Sequence, residues 1–267
     1  MQERHDAPLA PLTTFRLGGP ASRLITATTD AEVIAAVREA DDTGTPLLLI
    51  GGGSNLVIGD KGFPGTALVI ATKGFTLDGT RLELAAGEVW TDADDLEDAN
   101  GLSGPIKYAE TARALGVDPG DRVPLPAARE TVLKLRSGKG MVLDPEDHDT
   151  WSAGSFFTNP ILTNADFAAF HARVKEHLGP DAEPPAYPAG EGRTKTSAAW
   201  LIDKAGFTKG YGTGPARIST KHTLALTNRG DATTEDLLAL AREVVAGVRE
   251  TFGITLVNEP VTVGVTL

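Results

Sequence analysis

Three short stretches of the 267-residue chain carry residue types whose spacing suggests chemistry. In the first, Leu47-Leu48-Leu49-Ile50 runs straight into Gly51-Gly52-Gly53-Ser54-Asn55. Glycine reaches positive φ and places no Cβ in the way, so successive N–H groups can converge on an anion. A diphosphate fits such a bend. The spacing is not the Gly-x-Gly-x-x-Gly of dinucleotide folds, and no Gly-Lys-Ser follows as in nucleoside triphosphate loops. A plain tight turn between strands explains the same residues. The second stretch is Ser152-Ala153-Gly154-Ser155-Phe156-Phe157-Thr158-Asn159-Pro160. Small neighbours leave the Ser155 hydroxyl accessible, Phe156 and Phe157 can wall off water, and Asn159 can donate to a substrate oxygen, as in a proton-donor pocket. Ordinary turn chemistry is the competing reading. The Gly-x-Ser-x-Gly elbow of hydrolases is absent, which disfavours a serine nucleophile on that plan. The third is Glu259, an acid inside the apolar stretch Val257-Asn258-Glu259-Pro260-Val261. If buried, such a group must be paired or protonated, and a raised pKa suits a general acid. A solvent-facing glutamate on an edge strand is the alternative, made easier by Pro260.

Other chemistries are poorly served. The chain has no cysteine, so it forms no disulfide, thiolate zinc site or catalytic thiol. His5, His148, His171, His177 and His222 never form His-Glu-x-x-His, and no metal site is expected. Lys195 before a helix, and Arg136 with Lys139 near a helix end, can bind phosphate or serve as plain surface charges. With 25 Lys and Arg against 36 Asp and Glu the net charge is −11, which repels a phosphate backbone. A small molecule is therefore the expected partner rather than nucleic acid. No run approaches the roughly 18 apolar residues of a membrane span, and no charged-then-apolar leader opens the chain, so a cytoplasmic protein without membrane contact is expected. Thirty glycines and 17 prolines suit a loop-rich enzyme of short strands.

These groups need elements to position them. Residues 25–70 read as one βαβ unit. Thr29 and Asp30 cap a helix carrying Val33, Ile34 and Val37 that ends near Asp42-Thr43-Gly44. Leu47–Ile50 is short and apolar on both faces, as in a buried strand. Leu56–Ile58, Thr66–Ile70 and Leu82–Ala86 also read as strands. From Thr91 the acids Asp92, Asp94, Asp95, Glu97 and Asp98 read as a solvated turn or linker. Tyr108–Leu115 and Ala127–Leu135 carry helical spacing and are separated by Pro124 and Pro126; Ala165–Leu178 shows Phe167, Phe170 and Val174 on one face. Pro180 to Pro188 is a connector. Ser197–Ala205 reads as a helix, and Ile218–Asn228 includes a strand. Thr233 with Asp236 imitates a capping pair before a helix whose apolar face runs from Leu237 to Phe252 and stops at Gly253. A final strand is expected over Thr255–Val265.

Taken in order, several segments resemble the flavin-dependent UDP-N-acetylenolpyruvoylglucosamine reductase family (UDP-N-acetylmuramate dehydrogenase) of bacterial cell-wall synthesis, over nearly the whole chain. They are Thr13-Thr14-Phe15-Arg16-Leu17-Gly18-Gly19, Gly51–Asn55, Ala86-Gly87-Glu88-Val89-Trp90, Arg136-Ser137-Gly138-Lys139-Gly140, Ala153–Pro160, Ser197-Ala198-Ala199-Trp200-Leu201-Ile202, Lys221-His222 and Glu259. The resemblance implies an α+β protein: a two-lobed α/β FAD-binding fold with a truncated second lobe, and a smaller C-terminal α/β substrate-binding domain. Residues 1–71 would form the first lobe, 72–144 the remnant of the second, and 145–267 the substrate domain. It also implies FAD held by Gly51, Gly52, Gly53, Ser54, Asn55 and Leu56, NADPH as reductant, and hydride delivery to the enolpyruvyl group of a UDP-sugar. Ser155 would protonate the intermediate, Glu259 would assist as acid and electrostatic partner, and Lys139 and Asn159 would contact substrate. A monomer is expected.

One departure stands out. The family follows Gly-Glu-Val-Trp with a Gly-Ile-Pro-Gly turn, a Gln-Asn-x-Gly-Ala-Tyr-Gly segment and a Tyr-Arg-x-Ser motif, whose arginine polarises the substrate carboxylate. Here Trp90 is followed by the acidic turn and then Gly101-Leu102-Ser103-Gly104, as if a block had been excised between Trp90 and Gly101. Weak FAD affinity, an exposed ring and slow turnover are expected, unless another cation such as Arg217 takes over. The alternative is a shortened paralogue with impaired or lost flavin chemistry that binds a nucleotide-like small molecule.

Overall fold

The computed structural model describes residues 1–79, 81–88 and 101–267. The chain opens with β1 (Gln2–Pro8), β2 (Pro20–Ala27), α1 (Asp30–Thr43), β3 (Leu47–Ile50), β4 (Leu56–Ile58) and β5 (Phe63–Ile70). Four of these strands form a sheet in the order β1-β2-β5-β3, with β2, β5 and β3 parallel and β1 antiparallel at one edge. The two-residue period of a strand divides its apolar side chains between two cores. Leu24, Ala67 and Ile50 face a core with Leu9 and Ile58, while their chain neighbours Ile25 and Leu68 face Ala36 of α1. Thr29 caps α1 as expected, accepting from the Glu32 N–H. β3 differs from expectation: it is an edge strand and Leu49 is 52% exposed. Its apolar run signals burial, but α1 does not extend over Leu49.

The middle of the chain is lean. A hairpin of β6 (Phe75–Asp78) and β7 (Arg81–Leu84) is followed by α2 (Ala109–Leu115) and α3 (Leu125–Gly138). The two helices share a small separate core of Ile106, Ala112, Val123 and Ala128. Pro126 falls in the first turn of α3, where its missing N–H has no helical partner to lose. The acidic turn expected at Asp92–Asp98 lies outside the described residues.

The last section contains β8 (Ile161–Thr163), α4 (Asn164–Leu178), β9 (Tyr187–Pro188), β10 (Arg193–Lys195), α5 (Ala198–Lys204), β11 (Ala216–Ile218), β12 (Leu226–Asn228), α6 (Thr234–Phe252) and β13 (Val261–Val263). Thr233 and Asp236 form a reciprocal capping box on α6, and Gly253 closes it in the left-handed conformation. The buried face of α6, including Leu237, Ala241, Val244, Val248 and Phe252, packs on Phe170, Val174, Leu201, Ile202 and Leu226. Phe15, Leu17 and Val57 from the first section complete the same core. The expected strand over Thr255–Val265 shrinks to β13, which pairs in parallel with β4. No helix among the described residues is long and apolar enough to cross a membrane.

Candidate active site

The turn after β3 has the character its glycines suggest. Gly51 and Gly52 are exposed, with open space where a Cβ would stand. Gly53 is buried at φ +63°, and a Cβ there would lie 1.8 Å from the Leu12 carbonyl oxygen. The Leu12–Thr14 backbone presses against it, and the Thr14 N–H donates to the Gly53 carbonyl at 3.2 Å. Among the described residues, the N–H groups of Gly52, Gly53, Ser54 and Asn55 find no intramolecular acceptor. A row of unused donors at the carboxyl end of a parallel strand is chemically suited to an anion such as a diphosphate. Leu56 opens β4, and its side chain packs against the first core.

The Ser155 loop is tied to this turn. The Thr14 Oγ1 donates to the Ser152 carbonyl at 2.6 Å, so one threonine clamps the glycine turn with its backbone and the serine loop with its side chain. Beyond the loop, the Phe156 N–H donates to the Leu224 carbonyl and the Glu259 N–H to the Phe156 carbonyl, both at 2.8 Å. Phe156 and Phe157 are fully buried, pack edge to face at 5.1 Å, and anchor the loop. Ser155 is half-buried, and among the described residues its Oγ has no hydrogen-bond partner. Two residues past Glu259, the Val261 N–H donates to the Asn55 carbonyl at 2.9 Å. The segment 259–261 therefore runs from beside Ser155 to the end of the glycine turn.

Of the two environments open to Glu259, the structure shows the solvent-facing one, though not on an edge strand. It lies between an isolated Phe157–Asn258 bridge and β13, outside any strand, and it is exposed. A buried, paired acid is therefore not what the structure shows at this position. Asn159 accepts from the Ala198 N–H through Oδ1 at 2.9 Å, which leaves its amide NH2 to donate, and it lines a cavity of about 590 Å³ with Thr158 and Arg173. Lys139 follows α3 and pairs with Glu110 at 2.5 Å. Its charge still reaches His222: burial first, then the charges of Lys139 and Lys209, hold that imidazole below its ordinary pKa. The His222 Nδ1 accepts from the Leu224 N–H at 3.1 Å, the donor that fixes the neutral tautomer behind Phe156. Arg217, the candidate substitute cation, donates to the carbonyls of Thr213 and Gly214 beside its own strand.

Two contributors escaped residue-by-residue reasoning. Thr14 lies inside a quoted motif, but nothing local in the sequence reveals a partner 138 positions away. Asp149 is the other. Burial pushes its carboxyl up, yet the Thr220 hydroxyl, the Thr220 N–H and Arg229 outweigh this and hold it below the ordinary carboxylate range. It thereby fixes the Thr220–His222 turn to the segment that leads into Ser152.

The C-terminal domain of the UDP-N-acetylenolpyruvoylglucosamine reductases matches residues 144–263, and an FAD binding domain matches residues 21–117. A UDP-N-acetylenolpyruvoylglucosamine reductase of Streptomyces avermitilis is 67% identical over 351 residues, covering 100% of this chain and 96% of that protein. The chain belongs to this family. The reductase of Streptomyces coelicolor is 65% identical over 351 residues, covering 100% of this chain and 92% of its own. The crystal structure of the UDP-N-acetylenolpyruvylglucosamine reductase from Thermus caldophilus has the same fold, with a TM-score of 0.55 at 21% identity and 98% of each chain covered. The Streptomyces alignments span 351 positions against 267 residues here, so at least 84 positions, 351 less 267, hold no residue of this reductase-family member. The chain is a shortened flavoprotein oxidoreductase of the α+β type.

Proposed function

We propose that the chain is an FAD- and NADPH-dependent reductase of the enolpyruvyl group of UDP-N-acetylglucosamine enolpyruvate, a step of peptidoglycan precursor synthesis, and that Ser155 is its proton donor. FAD, when bound, supplies the hydride chemistry. Gly51–Leu56 would hold its diphosphate through backbone N–H groups. When hydride adds to a carbon–carbon double bond conjugated to a carboxylate, negative charge develops on the neighbouring carbon and must meet a positioned proton. The Ser155 Oγ–H would supply it. The anchored Phe156 and Phe157 keep water from the loop, Glu259 sets the local charge, and the Asn159 amide and Lys139 would orient the sugar nucleotide. Residues 1–71, 72–144 and 145–267 are assigned as first lobe, remnant second lobe and substrate domain. Motif order puts the missing block between Trp90 and Gly101.

The observation that supports this reading is the hydrogen-bond path from Asn55 through 261 and 259 to Phe156, next to Ser155, whose hydroxyl has no partner among the described residues. The non-redox alternative is not favoured, because relatives matched over 96% and 92% of their own length carry the reductase name. The test is Ser155→Ala. Substrate-dependent NADPH oxidation falls by about 10²- to 10⁴-fold, the usual worth of a general acid, while FAD binding and NADPH-driven flavin bleaching persist. Unchanged turnover in that variant would remove Ser155 from the proton role.

A further inference from the structure

We propose that Arg16 is an anion-binding residue that reaches a diphosphate at the junction of the glycine turn and the Ser155 loop; this deepens the reading above and rests on it. Among the described residues only two buried side-chain nitrogens lack any hydrogen-bond partner, Arg16 Nε and Trp151 Nε1. They belong to one contact, for the Arg16 guanidinium carbon lies 5.9 Å from the centre of the Trp151 ring. A buried donor left unmet is costly, so each calls for an acceptor that the protein does not supply. An oxyanion bound at this contact would supply one to the guanidinium.

The backbone holds Arg16 in place at a cost. Its φ is +56°, one of two positive values on non-glycine residues among those described, a conformation that side chains adopt only under strain. The neighbours enforce it. Phe15 and Leu17 are buried, the Asn228 amide donates to the Phe15 carbonyl at 2.9 Å, and the Thr13 Oγ1 donates to the Leu17 carbonyl at 3.1 Å. Strain that surrounding structure over-determines is found where a side chain must be aimed. The location fits a diphosphate: Thr14, two residues earlier, clamps Gly53 and Ser152, and Trp151 directly precedes Ser152. Residues 51–56 contain no lysine or arginine, so the N–H cradle lacks a full positive charge of its own. A guanidinium supplies one in a fork that matches phosphate oxygens.

The diphosphate has two sources, FAD and the sugar nucleotide, and the experiment separates them. FAD-free wild type, Arg16→Gln, Arg16→Lys and Trp151→Phe are titrated with FAD, with riboflavin, which lacks phosphate, and with UDP-N-acetylglucosamine. Arg16→Gln weakens FAD about 10- to 100-fold and leaves riboflavin unchanged, Arg16→Lys falls between, and Trp151→Phe loses several-fold through its missing N–H. If FAD binding holds and UDP-N-acetylglucosamine weakens by that factor, Arg16 serves the sugar nucleotide's diphosphate. Unchanged binding of both ligands in folded Arg16→Gln overturns the proposal; if that variant does not fold, unchanged binding in both Arg16→Lys and Trp151→Phe overturns it. Full turnover in Ser155→Ala would strike the proton assignment and leave these affinities untouched.

Discussion

Adjacent glycines of the turn should respond to alanine in opposite ways. At Gly53 the added Cβ meets the Leu12 carbonyl oxygen at 1.8 Å, short of van der Waals contact by roughly 1.5 Å or more, and the Thr13 Cα at 3.0 Å. The positive φ of +63° costs an alanine about 1 kcal/mol by itself. Relieving the overlap displaces Leu12–Thr14, which weakens the Thr14 bonds to Gly53 and Ser152, each worth about 1 kcal/mol. Gly53→Ala should therefore lose about 3 kcal/mol of stability in urea unfolding of the FAD-free protein. Gly52→Ala meets nothing within 4 Å and needs no positive φ, so it should stay within about 0.5 kcal/mol of wild type. Its methyl group stands in the space a diphosphate would enter, and FAD affinity, followed by fluorescence quenching, should drop at least tenfold. Wild-type FAD affinity in Gly52→Ala would refute the N–H cradle, and a Gly53→Ala protein as stable as wild type would refute the packing beneath it.

Three other outcomes follow from the same geometry. Asn159→Ala should cost about 1 kcal/mol because the Ala198 N–H loses its acceptor, whereas Asn159→Asp keeps the acceptor and should raise KM for the sugar nucleotide with stability unchanged; equal KM in Asn159→Asp removes the amide from substrate binding. Asp149→Asn should lose about 3 kcal/mol, since it uncouples a buried carboxylate from Arg229 and Thr220, and a loss below 0.5 kcal/mol in urea melts would contradict the network. His222 has a folded-state pKa below its ordinary value near 6.5, so its contribution to stability is complete above about pH 6.5 and is lost as pH falls through the folded value. Protonation also removes the acceptor of the Leu224 N–H. The urea midpoint should therefore drop more between pH 7.5 and 5 in wild type than in His222→Asn, and parallel profiles would count against this.

What the sequence made legible was local. α1 and α6 were readable at both ends, because Thr29, Thr233 with Asp236, Gly44 and Gly253 satisfy their helix termini with atoms a few residues away. The glycine turn and the Ser155 loop were readable for the same reason. What failed depended on distant cover. Leu49 carries a buried-strand signal but no layer reaches it, and the run from Thr255 onward finds β4 as a partner over only three residues. Glu259 was legible only as a choice between a buried acid and a solvent-facing one on an edge strand; it is exposed and outside any strand, and apolar neighbours in sequence do not decide such a case. The Thr14 clamp and the Arg16–Trp151 contact join segments far apart in sequence, and residue type alone does not announce such pairs.

The distribution of cores explains how a member of this family can be shortened and still present a site. Phe15, Leu17 and Val57 are built into the core of the last section, and β4 pairs with β13, so the first and last sections share packing and a strand pair. The core of α2 and α3 shares no residue with either. If the block is missing between Trp90 and Gly101, as motif order implies, its loss takes little among the described residues that the Ser155 loop or the glycine turn leans on. The resemblance implies that the missing block lines the flavin ring, and on that proposal affinity that would have come from enclosing the ring falls more heavily on the diphosphate. On that account, residues gripping the diphosphate should matter more in this chain than in its longer relatives, which makes the glycine turn and Arg16 the places where its FAD affinity is decided.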